Sequence, residues 1–122
     1  MIIGIHHVQL TIPKGAEEKG KQFYCEVLQL KEIEKPASLK GRGGFWLQVG
    51  DRAVHVGTEN GFDRTTTKAH IAYEVDNLSF WKEVLSQQNI SLIEGVPIPG
   101  FDRFEFRDPF GNRVEMIEEI RK

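Results

Sequence analysis

The stretch AHIAYEV, residues 69–75, alternates apolar and polar side chains and therefore predicts a β-strand. A helical pattern follows it, since Leu78, Trp81 and Leu85 recur at spacings of three and four until about residue 89. Turn signals and β-rich runs then predict three short strands, at residues 91–94, 103–107 and 113–117. The second half of the chain is thus predicted to be strand, helix and further strands.

The first half of the chain repeats this order. Residues 3–12 alternate as a strand, and an apolar stripe along residues 15–29 predicts a helix. Two β-rich runs at residues 45–49 and 53–56 flank Gly50-Asp51, a natural hairpin turn. We therefore predict an α+β fold in which two βαβββ modules, about 1–62 and about 63–122, form a single domain spanning 1–122.

Length, charge and cysteine content narrow the function. A chain of 122 residues is long enough for one hydrophobic core, and its formal net charge of −2 gives no field for nucleic acid or an anionic membrane. No apolar run approaches the roughly 20 residues of a membrane-spanning helix. Because Cys25 has no partner for a disulfide and the start shows no signal peptide, we expect a cytoplasmic protein that binds a small molecule.

Superposing the two modules brings polar residues to equivalent places. His7 and His70, 63 residues apart, begin equivalent strands, and His55 and Glu115, 60 residues apart, lie in the closing strands. Trp46 and Phe106 share this second offset. Each of the four polar residues has apolar strand neighbours, so we expect all four on the inner face of the sheet, away from the helices.

Imidazoles combined with a carboxylate form a set that binds Zn²⁺, Fe²⁺, Mn²⁺, Ni²⁺ or Co²⁺ and can leave positions open for substrate. A single strand histidine is more often an ordinary hydrogen-bonded residue than a ligand. The coincidence of four matched positions favours a divalent-metal site made by His7, His55, His70 and Glu115. His6 alternates with His7, so we expect it on the helix side with a structural role.

Four stretches carry a resemblance to a known family: IHHVQL (5–10), FYCEVL (23–28), KAHIAYEVD (68–76) and DPFGNRVE (108–115). Together they resemble the vicinal oxygen chelate superfamily, which includes glyoxalase I, bleomycin-resistance proteins, extradiol dioxygenases, fosfomycin-resistance enzymes and methylmalonyl-CoA epimerase. The resemblance implies paired βαβββ modules that curl into a cup, a divalent metal at the floor of the cup and, commonly, a homodimer.

The resemblance also implies roles for individual residues. His7, His70 and Glu115 match the usual ligand positions, whereas His55 lies where glyoxalase I has a glutamate, which argues against that particular isomerase. The implied function is a metal-dependent lyase, isomerase or dioxygenase that acts on a small oxygen-rich metabolite, with Glu115 or His55 moving a proton. The alternative is a metal-free binding protein of the bleomycin-resistance type, whose ligand would stack on Trp46, Phe45 or Phe101.

The predicted strand at residues 103–107 suggests how a substrate is bound. If Phe104 and Phe106 pack beneath the helices, the pleat turns Arg103 and Arg107 toward the inner face, where they would bind an anionic group of the substrate. The alternative is a solvated edge strand whose arginines pair with acidic neighbours, Glu105 or Asp102.

Overall fold

A computed structural model describes residues 1–61 and 63–120 of the chain. The chain divides into two compact units, Met1–Phe62 and Asp63–Lys122. Each unit is built in the order strand, helix and three strands around one four-stranded mixed sheet, so the predicted α+β fold with two βαβββ modules is confirmed. Within the described residues, no helix is both long enough and apolar enough to cross a membrane.

The sheet of the first unit has the strand order β1-β4-β3-β2. Its strands are β1 (His7–Ile12), β2 (Lys31–Ile33), β3 (Phe45–Val49) and β4 (Arg52–Thr58). Strand β1 runs parallel to β4, and the other pairs are antiparallel. The predicted start of β1 at residue 3 is wrong: His7 pairs with Ala53, near the first residue of β4, so the residues before His7 have no strand beside them. Strand β2 is too short to show the alternation that predicts a strand.

The helix predicted over residues 15–29 is divided into two elements, α1 (Glu17–Lys21) and a π-helix (Gln22–Val27). The N–H of Leu28 donates to the carbonyl of Phe23, five residues earlier, at 2.9 Å. This wider turn changes which side chains face the core, and Tyr24 and Leu28 are buried.

A glycine allows α1 to lie close to the sheet. A Cβ at Gly20 would be 3.0 Å from Cδ1 of Ile12 and 3.1 Å from Cε1 of Phe45, two buried side chains of β1 and β3. Any larger residue would push the helix outward or force these side chains to repack. The core of the first unit therefore lies between α1 with its π-helical extension and this face of the sheet.

The second unit repeats the topology with the order β5-β8-β7-β6. Its elements are β5 (His70–Glu74), α2 (Leu78–Gln87), β6 (Ile93–Glu94), β7 (Phe101–Arg107) and β8 (Arg113–Glu119). The side chain of Asn77 caps α2 by accepting from the N–H of Phe80. Because β7 lies between β8 and β6, the alternative of an edge strand is wrong. The arginine–glutamate pairing that this alternative included is present, since Nη1 of Arg103 lies 3.4 Å from Oε2 of Glu105. Phe104 and Phe106 are fully buried, as predicted.

The turn between β7 and β8 is held by the side chain of Asp108. Its Oδ1 accepts from the N–H groups of Phe110 at 2.9 Å and Asn112 at 2.8 Å, and its Oδ2 accepts from the Asn112 amide at 2.9 Å. Gly111 adopts a φ of +98°, a backbone conformation that residues other than glycine rarely adopt. This turn fixes where β8 begins and hence the position of Glu115.

Candidate functional site

Three polar side chains meet on one face of the second sheet. Glu115 on β8 pairs with Ala72 on one side and with Glu105 of β7 on the other. His70 lies two residues before Ala72, so the strand alternation places it on the same face. One ligand atom from each of His70, Glu105 and Glu115 lies within 4.8 Å of the other two. The predicted pairing of His70 with Glu115 on one face is present in this unit.

The contact between His70 and Glu115 brings two potential metal ligands together. Nε2 of His70 lies 2.9 Å from Oε1 of Glu115, and Nδ1 lies 2.9 Å from the carbonyl oxygen of Lys68. Since a carbonyl only accepts, Nδ1 carries the proton, and in the neutral ring Nε2 then presents a lone pair to a carboxylate. These two acceptors repel each other unless one of them carries a proton or a metal ion binds both. Adjacent ligands at about 2.1 Å from an octahedral ion are about 3.0 Å apart, so the spacing suits a metal.

Glu105 is already bound by an arginine. Its two carboxylate oxygens accept from Nε and Nη2 of Arg113 at 2.7 and 2.8 Å, and its side chain is only 7% exposed. Hydrogen bonds from Arg113 hold the pKa of Glu105 below its usual range. Among the three side chains, Glu105 is therefore the one already committed to a bidentate ion pair. Glu105 was not among the site residues predicted from the sequence, although its alternation with Arg103 and Arg107 already indicated the same face.

The two arginines of β7 have different surroundings. Nη1 of Arg103 lies 3.3 Å from Oε1 of Glu115 and 3.4 Å from Oε2 of Glu105. Nη1 of Arg107 donates instead to the carbonyl of Gly111 at 3.1 Å. Arg103 is thus part of the acidic cluster, whereas Arg107 is bound to the backbone of the turn that precedes β8.

The first unit contains a second group of site residues, stacked on one another. The ring of His55 lies between those of His7 and Trp46, with centroid distances of 4.0 and 3.8 Å. Burial, followed by the nearby His7, lowers the pKa of His55 and favours its neutral form. The expected position of His6 is wrong: it precedes β1, is exposed, and its Nδ1 lies 3.0 Å from Nδ1 of His7. His7 and His55 share a face, as predicted.

The strand pairing corrects part of the module superposition. Trp46 is the cross-strand partner of His55, but the cross-strand partner of Glu115 is Glu105. Phe106 pairs with Val114 on the opposite face and is fully buried. The turn between β7 and β8 is longer than the Gly50-Asp51 turn. This difference makes Glu105, rather than Phe106, the counterpart of Trp46. A carboxylate therefore occupies the place that corresponds to Trp46.

The predicted stacking surfaces lie in different environments. Phe45 is 1% exposed and belongs to the core, so the prediction that it contacts a ligand is wrong. Trp46 has one ring face against His55. Phe101 is half-buried at the start of β7, on the face that carries Arg103. The hypothesis that His7 and His55 join His70 and Glu115 in one ligand set stays a prediction.

Comparisons with known proteins identify the family. The model of the Glyoxalase/Bleomycin resistance protein/Dioxygenase superfamily matches residues 4–116. The chain belongs to this superfamily. The resemblance to the vicinal oxygen chelate proteins is therefore confirmed, and with it the duplicated βαβββ fold. No curated protein matches the sequence.

Solved structures of glyoxalase-like proteins share this architecture. A protein from Bacillus anthracis assigned to the glyoxalase family is 40% identical, with a TM-score of 0.91 and 98% of each chain covered. An integron cassette protein from V. cholerae is 25% identical, with a TM-score of 0.71 and coverage of 97% of this chain and 96% of that one. The fosfomycin resistance protein FosX from Listeria monocytogenes is 15% identical, with a TM-score of 0.78 and coverage of 98% and 93%.

Proposed function

We propose that this glyoxalase superfamily member is a metal-dependent enzyme of the lyase, isomerase or dioxygenase type that acts on a small oxygen-rich metabolite. The observation that supports it is the 2.9 Å contact between Nε2 of His70 and Oε1 of Glu115, with Nδ1 of His70 committed to the Lys68 carbonyl. His70 and Glu115 would hold a divalent ion, Zn²⁺, Fe²⁺, Mn²⁺, Ni²⁺ or Co²⁺. Such an ion supplies Lewis acidity to neighbouring substrate oxygens.

The structural neighbours support a divalent ion and an oxygen-rich ligand in this fold. FosX from Listeria monocytogenes was solved with Mn(II) and sulfate, and its E126Q mutant was solved with Mn(II) and 1S,2S-dihydroxypropylphosphonic acid. These proteins are 15% and 17% identical to this chain. They therefore support the class of ligand and do not define the substrate here.

Proton transfer falls to the two residues that the sequence analysis named, Glu115 and His55. Glu115 is engaged by His70 and by Arg103 at 3.3 Å. The ring of His55 is buried in its stack, and its lowered pKa favours the neutral imidazole that can accept a proton. We propose His7 as a further ligand, and His55 either as a fourth ligand or as the group that accepts the proton.

Metal titration tests this function. Protein purified without an affinity tag, stripped with a chelator and titrated with Mn²⁺ or Zn²⁺ in a calorimeter should bind about one ion per chain. His70→Ala and Glu115→Ala should weaken binding by more than the roughly 10- to 100-fold that follows loss of a residue supporting a ligand. Glu74→Ala, which removes an exposed carboxylate from the same strand as His70, is the matched control. Wild-type affinity in both ligand variants would refute the assignment.

Thermal unfolding provides an independent measurement of the same site. Free metal at 100 times its dissociation constant stabilises the folded state by about 2.7 kcal/mol. For a chain of this size, that should raise the Tm by about 8–13 °C, and a chelator should reverse the increase. Glu74→Ala should show the full increase, and Glu115→Ala should show almost none.

A metal-free binding protein is the alternative, and two contacts of Glu115 favour it. Arg103 and a protonated His70 together compensate the charge of Glu115 without an ion, since both lie within 3.3 Å of its Oε1. In that case the purified protein contains no stoichiometric metal, and chelation leaves the Tm unchanged. The calorimetric and thermal experiments therefore distinguish the two functions.

We also propose that the protein is a homodimer, and that it is cytoplasmic, as expected from its sequence. The dimer is supported by the residues just before β1, an edge strand of its sheet, because large apolar side chains are exposed there: Met1, Ile2, Ile3 and Ile5. A second copy of the chain would cover these side chains. Sedimentation should show a dimer at tens of micromolar for the wild type and monomers for an Ile3→Ser/Ile5→Ser variant. A wild type that sediments as a monomer with metal bound would contradict this proposal.

A further inference from the structure

We propose that Arg103 is the receptor for an anionic group of the ligand, a carboxylate or another small oxyanion, which binds beside the His70–Glu115 pair. The inference deepens the proposed function and rests on it for the reaction and for the divalent ion that would give the cluster its positive charge. The anion-binding site itself is formed by residues of the second unit alone. Four observations carry it: the way the guanidinium is held, its uncommitted donors, the glycine beneath it and the charge of the cluster.

The guanidinium of Arg103 is fixed in one orientation. Its Nε donates to the carbonyl of Val96 at 3.0 Å, and its Nη1 lies 3.4 Å from Glu105 and 3.3 Å from Glu115. The side chain is only 14% exposed. A guanidinium held on two sides loses little further conformational freedom when a ligand binds, which favours recognition by this group.

Two N–H donors of this guanidinium stay uncommitted. An arginine has five, and the contacts of Nε and Nη1 use three of them. No hydrogen bond or ion pair within residues 1–61 and 63–120 engages Nη2 of Arg103. The Arg103 side chain is also not fully buried. Nη2 is thus a charged donor that a ligand oxygen can reach.

A glycine provides the space that the guanidinium occupies. A Cβ at Gly95 would lie 2.7 Å from Cζ of Arg103 and 2.9 Å from its Nη2. The φ of Gly95 is not in the left-handed region, so the glycine is needed for space rather than for backbone conformation. Any other residue at position 95 would displace the guanidinium while leaving its charge in place. Gly95→Ala is therefore a direct test of its position.

The charges of the cluster favour an anion once a divalent ion is present. Glu105 and Glu115 balance Arg103 and Arg113, so these four side chains sum to zero. A divalent cation on His70 and Glu115 would leave the cluster with two positive charges, which attract a negatively charged ligand. Arg103 is the arginine that would bind this anion, because Arg113 is committed to Glu105 by two hydrogen bonds.

The experiment compares glycolate, which has a carboxylate beside a hydroxyl group, with its neutral amide, glycolamide. Both are titrated into the Mn²⁺-loaded wild type and variants by calorimetry, and inorganic phosphate is titrated into chelator-stripped protein by NMR. Arg103→Gln should weaken glycolate about 10- to 100-fold, the value of a charge-assisted hydrogen bond, and should change glycolamide much less. Gly95→Ala should also weaken glycolate, and Arg103→Lys should restore part of the loss. Arg52→Gln, which removes an exposed arginine of the first unit, is the control and should bind glycolate within about twofold of wild type.

Two outcomes would overturn the inference. One is an equal loss of glycolate and glycolamide affinity in Arg103→Gln, and the other is an equal loss of glycolate affinity in Arg103→Gln and Arg52→Gln. The phosphate titration separates this inference from the proposed function. If no metal binds but Arg103→Gln still abolishes the phosphate shifts, the anion receptor holds and the metal enzyme fails. If metal binds normally and Arg103→Gln changes no anion affinity, the metal site holds and the receptor fails.

Discussion

Replacing Arg113 by alanine should destabilise the fold more than the loss of an ordinary surface arginine does. Glu105, with a side chain that is 7% exposed, would lose two hydrogen bonds of 2.7 and 2.8 Å and keep only the longer 3.4 Å contact with Arg103. Breaking a fully buried ion pair costs about 3–5 kcal/mol, because the remaining charge stays desolvated. Arg113 is 27% exposed, so water can partly replace it. We expect Arg113→Ala to lower the free energy of unfolding by about 2–3 kcal/mol.

Urea denaturation followed by tryptophan fluorescence measures this loss, and the m-value should stay constant. The matched control is Arg52→Ala, because Arg52 is an exposed arginine with a 3.8 Å contact to Asp51, and its loss should cost less than about 0.5 kcal/mol.

A double variant then isolates the buried charge. In Arg113→Ala/Glu105→Gln the carboxylate itself is gone, so about half or more of the lost stability should return. An Arg113→Ala variant no less stable than Arg52→Ala, or a double variant less stable than Arg113→Ala alone, would refute the view that Arg113 is needed to hold a buried carboxylate.

Further predictions concern three single groups: a buried hydroxyl, a glycine with a positive φ and a hydrogen-bonded carboxylate. Tyr73→Phe should raise the free energy of unfolding by about 1 kcal/mol in denaturant titrations, because it removes a buried hydroxyl that has no hydrogen-bond partner within the described residues. Gly44→Ala should prevent or strongly weaken folding, as judged by circular dichroism, since Gly44 has a φ of +78° and a Cβ there would overlap the carbonyl oxygen of Val56. The N–H of Gly44 donates to the carboxylate of Glu17 and holds its pKa below the usual value. The stability that Glu17 contributes is therefore present above the pKa of the unfolded state, and it is lost as the pH falls through the pKa of the folded state. The stability difference between wild type and Glu17→Gln should therefore be constant above about pH 5 and shrink below it.

Strand alternation and helical spacing were sufficient to predict the order of the longer elements, although not the short strand β2, and the face on which the main site residues lie. They depend on the local geometry of the chain, so residues 69–75 indicate a strand without knowledge of its partner. The same reasoning placed Phe104 and Phe106 in the core and Arg103 on the opposite face. It was wrong about the start of β1, because a strand begins only where a neighbour offers hydrogen bonds, and His7 is the first residue that pairs with β4.

The sequence by itself predicted that His70 and Glu115 each point away from the helices, because the apolar neighbours of each on its own strand take the opposite face. Only the tertiary structure decided which groups touch them. The length of the turn after β7 sets the register that pairs Glu105 with Glu115, in the place where the first unit has Trp46. In that register Glu105 forms an ion pair with Arg113, and Arg103 lies beside Glu115. Such contacts join residues from different strands, and periodicity within one strand contains no information about the residues that lie across from it.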